Sequence, residues 1–248
     1  MKITWTTPAG EYPRLYGDIL GQPHVLIAGA TGSGKSVLLH GLIYTALFQS
    51  PATVNFVLID PKRVELAGYK QLPHTLKYAS EPDDIRAAVR HSVDLMERRY
   101  KTMQKNGQRI YYGADIYIII DEFADLITTQ KKDVLPSLCR IAQLGRAAKV
   151  HLIIATQRPT RDIINGQIKV NIDARIALRC PTAQDSRNII TVSGAENLPR
   201  YGQGYYLTPE TMRPVLVNIP YTDPAALSAR VDWWTRQNRF RRRWIMTE

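Results

Sequence analysis

The chain has 248 residues, enough for one well-packed α/β domain, and its 44% hydrophobic content without a low-complexity tract is that of an ordinary soluble protein. No apolar run approaches the roughly 20 residues of a bilayer span, the N-terminus MKITWTTPAG lacks a signal-peptide core, and Cys139, Cys180 and five scattered histidines lack metal-site spacing, so a cytosolic protein with buried free thiols is expected. A net charge of +11 fits either a merely basic surface or a polyanionic partner such as nucleic acid.

The first predicted element is a buried strand, Val25 to Ala28, which runs into Gly29-Ala30-Thr31-Gly32-Ser33-Gly34-Lys35-Ser36-Val37. Gly29, four residues, then Gly34-Lys35-Ser36 is the spacing of a P-loop, whose glycines let backbone N–H groups turn toward phosphates. A helix with Val37, Leu38, Leu39, Leu42, Ile43 and Ala46 follows, and its N-terminus adds partial positive charge to the anion site. Residues 29–37 are therefore the expected ATP cradle. Lys35 would neutralise the β- and γ-phosphates, and the Ser36 hydroxyl would ligate Mg²⁺.

The second predicted strand is Val54 to Ile59, and Asp83 to Lys105 reads as a long amphipathic helix. Its apolar stripe comprises Ile85, Ala88, Val89, Val93, Met96 and Tyr100, opposite Arg86, Arg90, Asp94, Glu97 and Lys101. Tyr117 to Ile120 is the third strand, with Asp121-Glu122 at its carboxyl end, where open α/β sheets bind ligands. There Asp121 would hold Mg²⁺ through water and Glu122 would act as general base; the alternative is a plain acidic cap on a helix starting near Phe123.

Further on, a helix is predicted from Val134 to Ala148 and a strand over Leu152 to Ala155. Gln157 follows that strand and is placed to sense the γ-phosphate. Arg175 to Leu178 is the last parallel strand, and residues 202–207 with 215–217 predict an antiparallel pair at the sheet edge. A helix from Asp223 carries Leu227, Val231 and Trp234 toward Arg239-Phe240-Arg241-Arg242-Arg243-Trp244. That tail either grips phosphates and stacks on bases, or belongs to a helix docked by its tryptophans with the arginines in water. Alternating strands and helices predict an α/β fold with a mainly parallel sheet flanked by helices, as one domain over 1–222 plus a basic, aromatic helix and tail over 223–248.

Residues Ala28 to Val37 (AGATGSGKSV), Leu58 to Leu66 (LIDPKRVEL), Met96 to Tyr100 (MERRY), Ile118 to Leu126 (IIIDEFADL) and Arg146 to Thr160 (RAAKVHLIIATQRPT) are joined by Ile168 to Asn171, Ala174 to Ile176, Asp185 to Ile189 and Gly194-Ala195-Glu196. In this order, from about Leu20 to Leu207, they resemble the motor domain of the FtsK/SpoIIIE family of DNA translocases. The resemblance implies a RecA-like P-loop NTPase that assembles as a homo-oligomeric ring, usually a hexamer, around double-stranded DNA, with ATP between subunits. It also implies that Arg146 is an arginine finger reaching a neighbour's ATP, and that Arg158 and Arg187 are loop arginines touching the DNA backbone. Guanidinium forks suit both tasks.

The chain departs from the family pattern at Pro181-Thr182-Ala183-Gln184, where many relatives carry a γ-phosphate-sensing lysine shortly before Asp185-Ser186-Arg187; Arg179 is the candidate to replace it. The segment from Gly107 to Asp115 is shorter than usual, and the resemblance extends to neither a spanning N-terminus nor a winged helix. A stripped motor of the mobile-element, plasmid or phage kind is therefore expected. Three readings compete with a duplex translocase. One is a coupling ATPase acting on a single strand or nucleoprotein with a replication or transfer protein partner. Another is a protein-pumping ATPase of the type VII secretion kind, disfavoured by the single module and the +11 charge. The third is a non-enzymatic assembly factor, disfavoured by Lys35, Ser36, Asp121 and Glu122 together.

Overall fold

The computed structural model describes residues 14–164 and 166–237. Its elements in chain order are α1 (Arg14–Leu20), β1 (His24–Ala28), α2 (Lys35–Ala46), β2 (Val54–Ile59), β3 (Thr75–Ala79), α3 (Pro82–Lys105), β4 (Asp115–Ile120), α4 (Phe123–Ala148), β5 (Val150–Thr156), α5 (Gly166–Lys169), β6 (Ala174–Ala177), α6 (Ala183–Ile190), β7 (Gln203–Leu207), β8 (Val215–Asn218) and α7 (Pro224–Thr235). Among them no helix is long and apolar enough to cross a membrane.

The eight strands form one sheet in the order β3-β2-β4-β5-β1-β6-β7-β8. The first six are parallel; β7 and β8 continue the edge antiparallel, as the 202–217 pattern predicts. The central strands β1, β2, β4 and β5 are buried throughout because helices cover both faces, which explains their continuous apolar runs. Successive side chains alternate between two cores. Leu26, Ile118, Ile120 and Leu152 pack with α3, α4 and α6, whereas Val25, Ile27, Tyr117, Ile119 and Ile153 pack with α1, α2 and α7.

Three local outcomes differ from the sequence pattern. β3 was not predicted: it is a five-residue edge strand with only Ala79 buried, so neither an apolar run nor a clean alternation marks it. The helix predicted from Val134 is the second half of α4, which begins at Phe123 and breaks at Gln130, where φ is −137°. In α3 the buried stripe includes Arg99, while Val93 and Tyr100 are only half-buried. Arg99 donates to the carbonyls of Ala148 and Lys149 at 2.7 and 3.0 Å, and the Tyr100 hydroxyl donates to Leu144 O at 2.7 Å. Both side chains thus satisfy carbonyls at or near the C-terminal end of α4.

α7 is seated on the body by Trp234, which is buried, donates from Nε1 to Leu47 O at 2.7 Å and meets His74 edge-on at 4.6 Å. The Arg230 guanidinium lies 4.3 Å from the Phe48 ring centre. The stretch Arg239 to Trp244 lies outside the described residues.

Candidate nucleotide and nucleic-acid sites

β5 lies between β1 and β4, with Ala155 level with Ile27 and Ile154 level with Ile120, so the carboxyl ends of all three strands converge. The loop after β1, the acids after β4 and Gln157 after β5 are thereby brought to one place.

The loop conformation requires its glycines. Gly32 and Gly34 have φ of 72° and 96°, in the left-handed region. A Cβ on Gly29 would stand 2.6 Å from Ser33 Oγ and 2.7 Å from Leu178 Cβ. The loop is pinned from both sides, since Gly29 N donates to Thr156 O at 3.3 Å and Ala30 N to Arg179 O at 2.8 Å. Gly34 is the N-cap of α2 and contributes no side-chain hydrogen bond, which leaves the first-turn N–H groups available to an anion. A mostly apolar cavity of about 350 Å³ opens beside them, lined among others by Gly34, Val37, Leu178, Tyr201, Ile219 and Tyr221.

Lys35 is 4% exposed and folds onto Asp121, donating to its backbone carbonyl at 2.8 Å and pairing with its carboxylate. Burial pushes the Asp121 carboxyl above its ordinary value; Lys35 opposes this, and the nearby Glu65 and Asp60 add to it. Glu122, 1% exposed, accepts from the Thr156 hydroxyl at 2.7 Å, from Gln157 N at 3.1 and 3.2 Å, and from Ala124 N at 3.4 Å. Lys62 Nζ stands 3.5 Å from it. Glu122 is thus the N-cap of α4, at the same end of the sheet as the glycine loop. Gln157 completes the link, its Oε1 accepting from the Thr31 hydroxyl at 2.6 Å.

The structure gathers Gly29 to Val37, Asp121, Glu122 and Gln157, and keeps Arg146 apart. Arg146 is exposed in the last turn of α4, where the chain turns back into β5, at the opposite end of the sheet from the chain's own phosphate loop. Arg158 and Arg187 are exposed on neighbouring segments tied together by Asn188 Nδ2, which donates to Pro159 O at 2.9 Å. Arg187 lines a cleft of about 490 Å³ with Arg161, Lys169, Gln184 and Asn188, without a carboxylate among the described residues of its wall. Burial, then Arg175 and Arg161, push the Lys169 ammonium below its ordinary value, as expected of unneutralised cations. Arg179 is exposed, and its backbone carbonyl holds Ala30.

Several contributors escaped the sequence reading. Arg161 and Lys169 enrich the basic cleft, and the Arg200 guanidinium approaches the loop so closely that a Cβ on Gly32 would lie 3.2 Å from Nη2. Glu65 accepts from the Ser36 hydroxyl at 2.6 Å, within the quoted segment Leu58 to Leu66. An acid six residues beyond a strand end carries no positional signal of its own.

With this geometry in hand, comparison with known proteins is decisive. The FtsK/SpoIIIE family model matches residues 11–115 and 112–161. The chain belongs to the FtsK/SpoIIIE family. Among curated relatives, the DNA translocase FtsK of Oceanobacillus iheyensis is 38% identical over 244 residues, covering 90% of this chain and 31% of the relative. The DNA translocase SpoIIIE of Bacillus subtilis is 41% identical over 231 residues, covering 85% and 29%. The chain therefore spans about a third of the length of these relatives. Among solved structures, the pCW3 conjugation coupling protein TcpA with ATPγS superposes with a TM-score of 0.74 at 25% identity, covering 85% of this chain and 64% of TcpA. The P-loop ATPase fold expected from the resemblance is the fold observed.

Proposed function

We propose that this FtsK/SpoIIIE family member is an ATP-hydrolysing motor that moves along double-stranded DNA through backbone contacts. The observation that carries the reading is the convergence of the glycine loop, Lys35, Asp121, Glu122 and Gln157 at one end of the sheet, with exposed arginines on the segments that follow. ATP phosphates belong on the N–H groups of residues 29–37 other than Gly29, Ala30 and Ser33, whose N–H groups are already donated within the fold, and the adjoining apolar cavity suits a nucleobase. Ser36 and Asp121 are hard oxygen donors that fit Mg²⁺, which when bound would neutralise phosphate charge.

Glu122 takes the proton of the attacking water, and Gln157 couples that event to the loop through Thr31. Arg146 cannot serve its own subunit's loop from the far end of the sheet, so it acts on a neighbour's nucleotide in a ring, a hexamer by family likeness. Arg158 and Arg187, aided by Arg161 and Lys169, grip backbone phosphates and read no bases.

The test is the ATPase rate without DNA, with duplex and with a single strand. Stimulation by duplex is expected, and no stimulation by any nucleic acid would overturn the reading. Stronger stimulation by a single strand would favour the second reading, a coupling ATPase of DNA transfer, which the likeness to a conjugation coupling protein supports.

A further inference from the structure

Three side chains behind Ser36 form a directed hydrogen-bond chain. Ser36 Oγ donates to Glu65 Oε1 at 2.6 Å; His40 Nε2 lies 3.3 Å from Glu65 Oε2; and the Tyr69 hydroxyl meets His40 Nδ1 at 2.6 Å. His40 is one turn beyond Ser36 on α2 and so shares its face. Glu65 is held from the other side by its loop, because the Leu66 N–H donates to the buried Asp60 carboxylate at 2.9 Å, and Arg63 completes the turn with φ of 60°.

The donors run in one direction. The Glu65 carboxylate can only accept, so the His40 Nε2 that faces it carries a proton; burial pushes the His40 imidazole below its ordinary value against the opposing pull of Glu65, and burial and Glu65 push the Tyr69 hydroxyl above its own. A neutral ring accepting at Nδ1 carries its proton on Nε2, facing Glu65. Glu65 therefore receives the His40 N–H on one oxygen and the Ser36 O–H on the other.

A serine hydroxyl has one proton and two acceptor lone pairs. If the proton is not held, it competes with a cation for the front of the oxygen; committed to Glu65, it leaves the lone pairs for the metal. We propose that Glu65, steadied by His40 and Tyr69, is a positioning residue that orients the Ser36 hydroxyl for a divalent cation. The inference rests on the reading of Ser36 as a metal ligand. Partners that orient metal ligands typically contribute 10- to 100-fold in metal affinity.

The experiment is a Mg²⁺ titration of binding of a fluorescent ADP analogue to the full chain, which reads metal affinity without turnover. Glu65→Ala should need about 10- to 100-fold more Mg²⁺ for half-saturation, while metal-free nucleotide affinity stays within about twofold. Glu65→Gln keeps an acceptor and should recover most of the loss; equal defects in both variants would overturn the positioning role. His40→Ala, which leaves Glu65 in place, should shift the midpoint by a smaller factor, and it carries the test if Glu65→Ala does not fold. Ser36→Ala separates the two claims. No Mg²⁺ shift in Ser36→Ala overturns the ligand reading itself, whereas a shift there with none in Glu65→Ala or His40→Ala overturns this inference alone.

Discussion

Glu122 and Gln157 are joined through the main chain: the Gln157 N–H reaches both carboxylate oxygens of Glu122, at 3.1 and 3.2 Å, while the Gln157 side chain receives the Thr31 hydroxyl of the phosphate loop. A change at the glycine loop can therefore displace Thr31, then Gln157, then Glu122. Glu122→Gln retains acceptor oxygen for Thr156 and Ala124 but cannot take a proton. It should lower turnover by a factor of about 10² to 10⁴ and leave nucleotide affinity intact. Single-turnover hydrolysis beside equilibrium binding checks this, and wild-type turnover in the variant would remove Glu122 from the role of base.

Lys35 and Asp121 make a stability prediction with a sign. Burial raises Asp121 above its unfolded value of 3.8, so the folded state keeps the proton to higher pH and stability declines as pH rises from 3.8 through the folded value. Lys35→Ala removes the cation that opposes this, widening the window and leaving a buried carboxylate unpaired. The cost should be on the order of 3–5 kcal/mol near neutral pH and less in acid, with nucleotide binding also weakened. Thermal melts between about pH 4 and 7 measure it. Lys35→Ala/Asp121→Asn should melt with little pH dependence from this site, and a single variant as stable as wild type at pH 7 would contradict the ion pair's importance.

Gly29→Ala tests the loop geometry, because its Cβ would meet Ser33 Oγ at 2.6 Å and Leu178 Cβ at 2.7 Å. Overpacking of this kind typically costs about 1–3 kcal/mol, and here the strain falls on the phosphate cradle. Reduced ATP affinity with a modest fall in melting temperature is expected in a nucleotide-binding and melting assay. Unaltered affinity would mean that the loop adapts.

The central sheet was legible because parallel strands buried on both faces must be apolar throughout, and Val54–Ile59 coincides with the predicted run. β3 was not, since a half-buried edge strand is under no such constraint. That the glycine loop, Asp121, Glu122 and Gln157 share one end of the sheet was legible because each follows a strand. Glu65, Arg200 and the Arg161–Lys169 wall of the basic cleft were not, because loops and folding bring them in from positions without periodicity. Arg99 was hidden for another reason: a charge at a core-facing helical position is unreadable until the carbonyls it satisfies are known.

Arg146 is exposed at the end of the sheet away from its own glycine loop, so the proposed role in hydrolysis requires that it act between subunits. Arg146→Ala should lower turnover by roughly 10³ to 10⁵. Mixing Arg146→Ala with Lys35→Ala subunits should restore part of the activity, since some interfaces then combine an intact loop with an intact arginine. Mixed rings without recovery at any ratio would argue against a shared site.

The grip on DNA can be assigned by salt dependence. Arg158 and Arg187 sit on segments linked by the Asn188 to Pro159 hydrogen bond, which couples any displacement of one segment to the other. Each phosphate contact removed from duplex flattens the slope of log affinity against log salt by about 0.9. Arg158→Ala/Arg187→Ala should therefore flatten it by nearly two contacts, lose DNA stimulation and keep nucleotide binding, uniformly across DNA sequences because no base is read. Adding Arg161→Ala and Lys169→Ala should flatten it further if the cleft of about 490 Å³ follows the same backbone. Truncation after Asn238 provides the contrast: if the arginines at 239 and 241–243 hold the DNA, truncation flattens the slope and the double variant leaves it unchanged, which would move the grip from the loop after β5 and from α6 to the C-terminal tail.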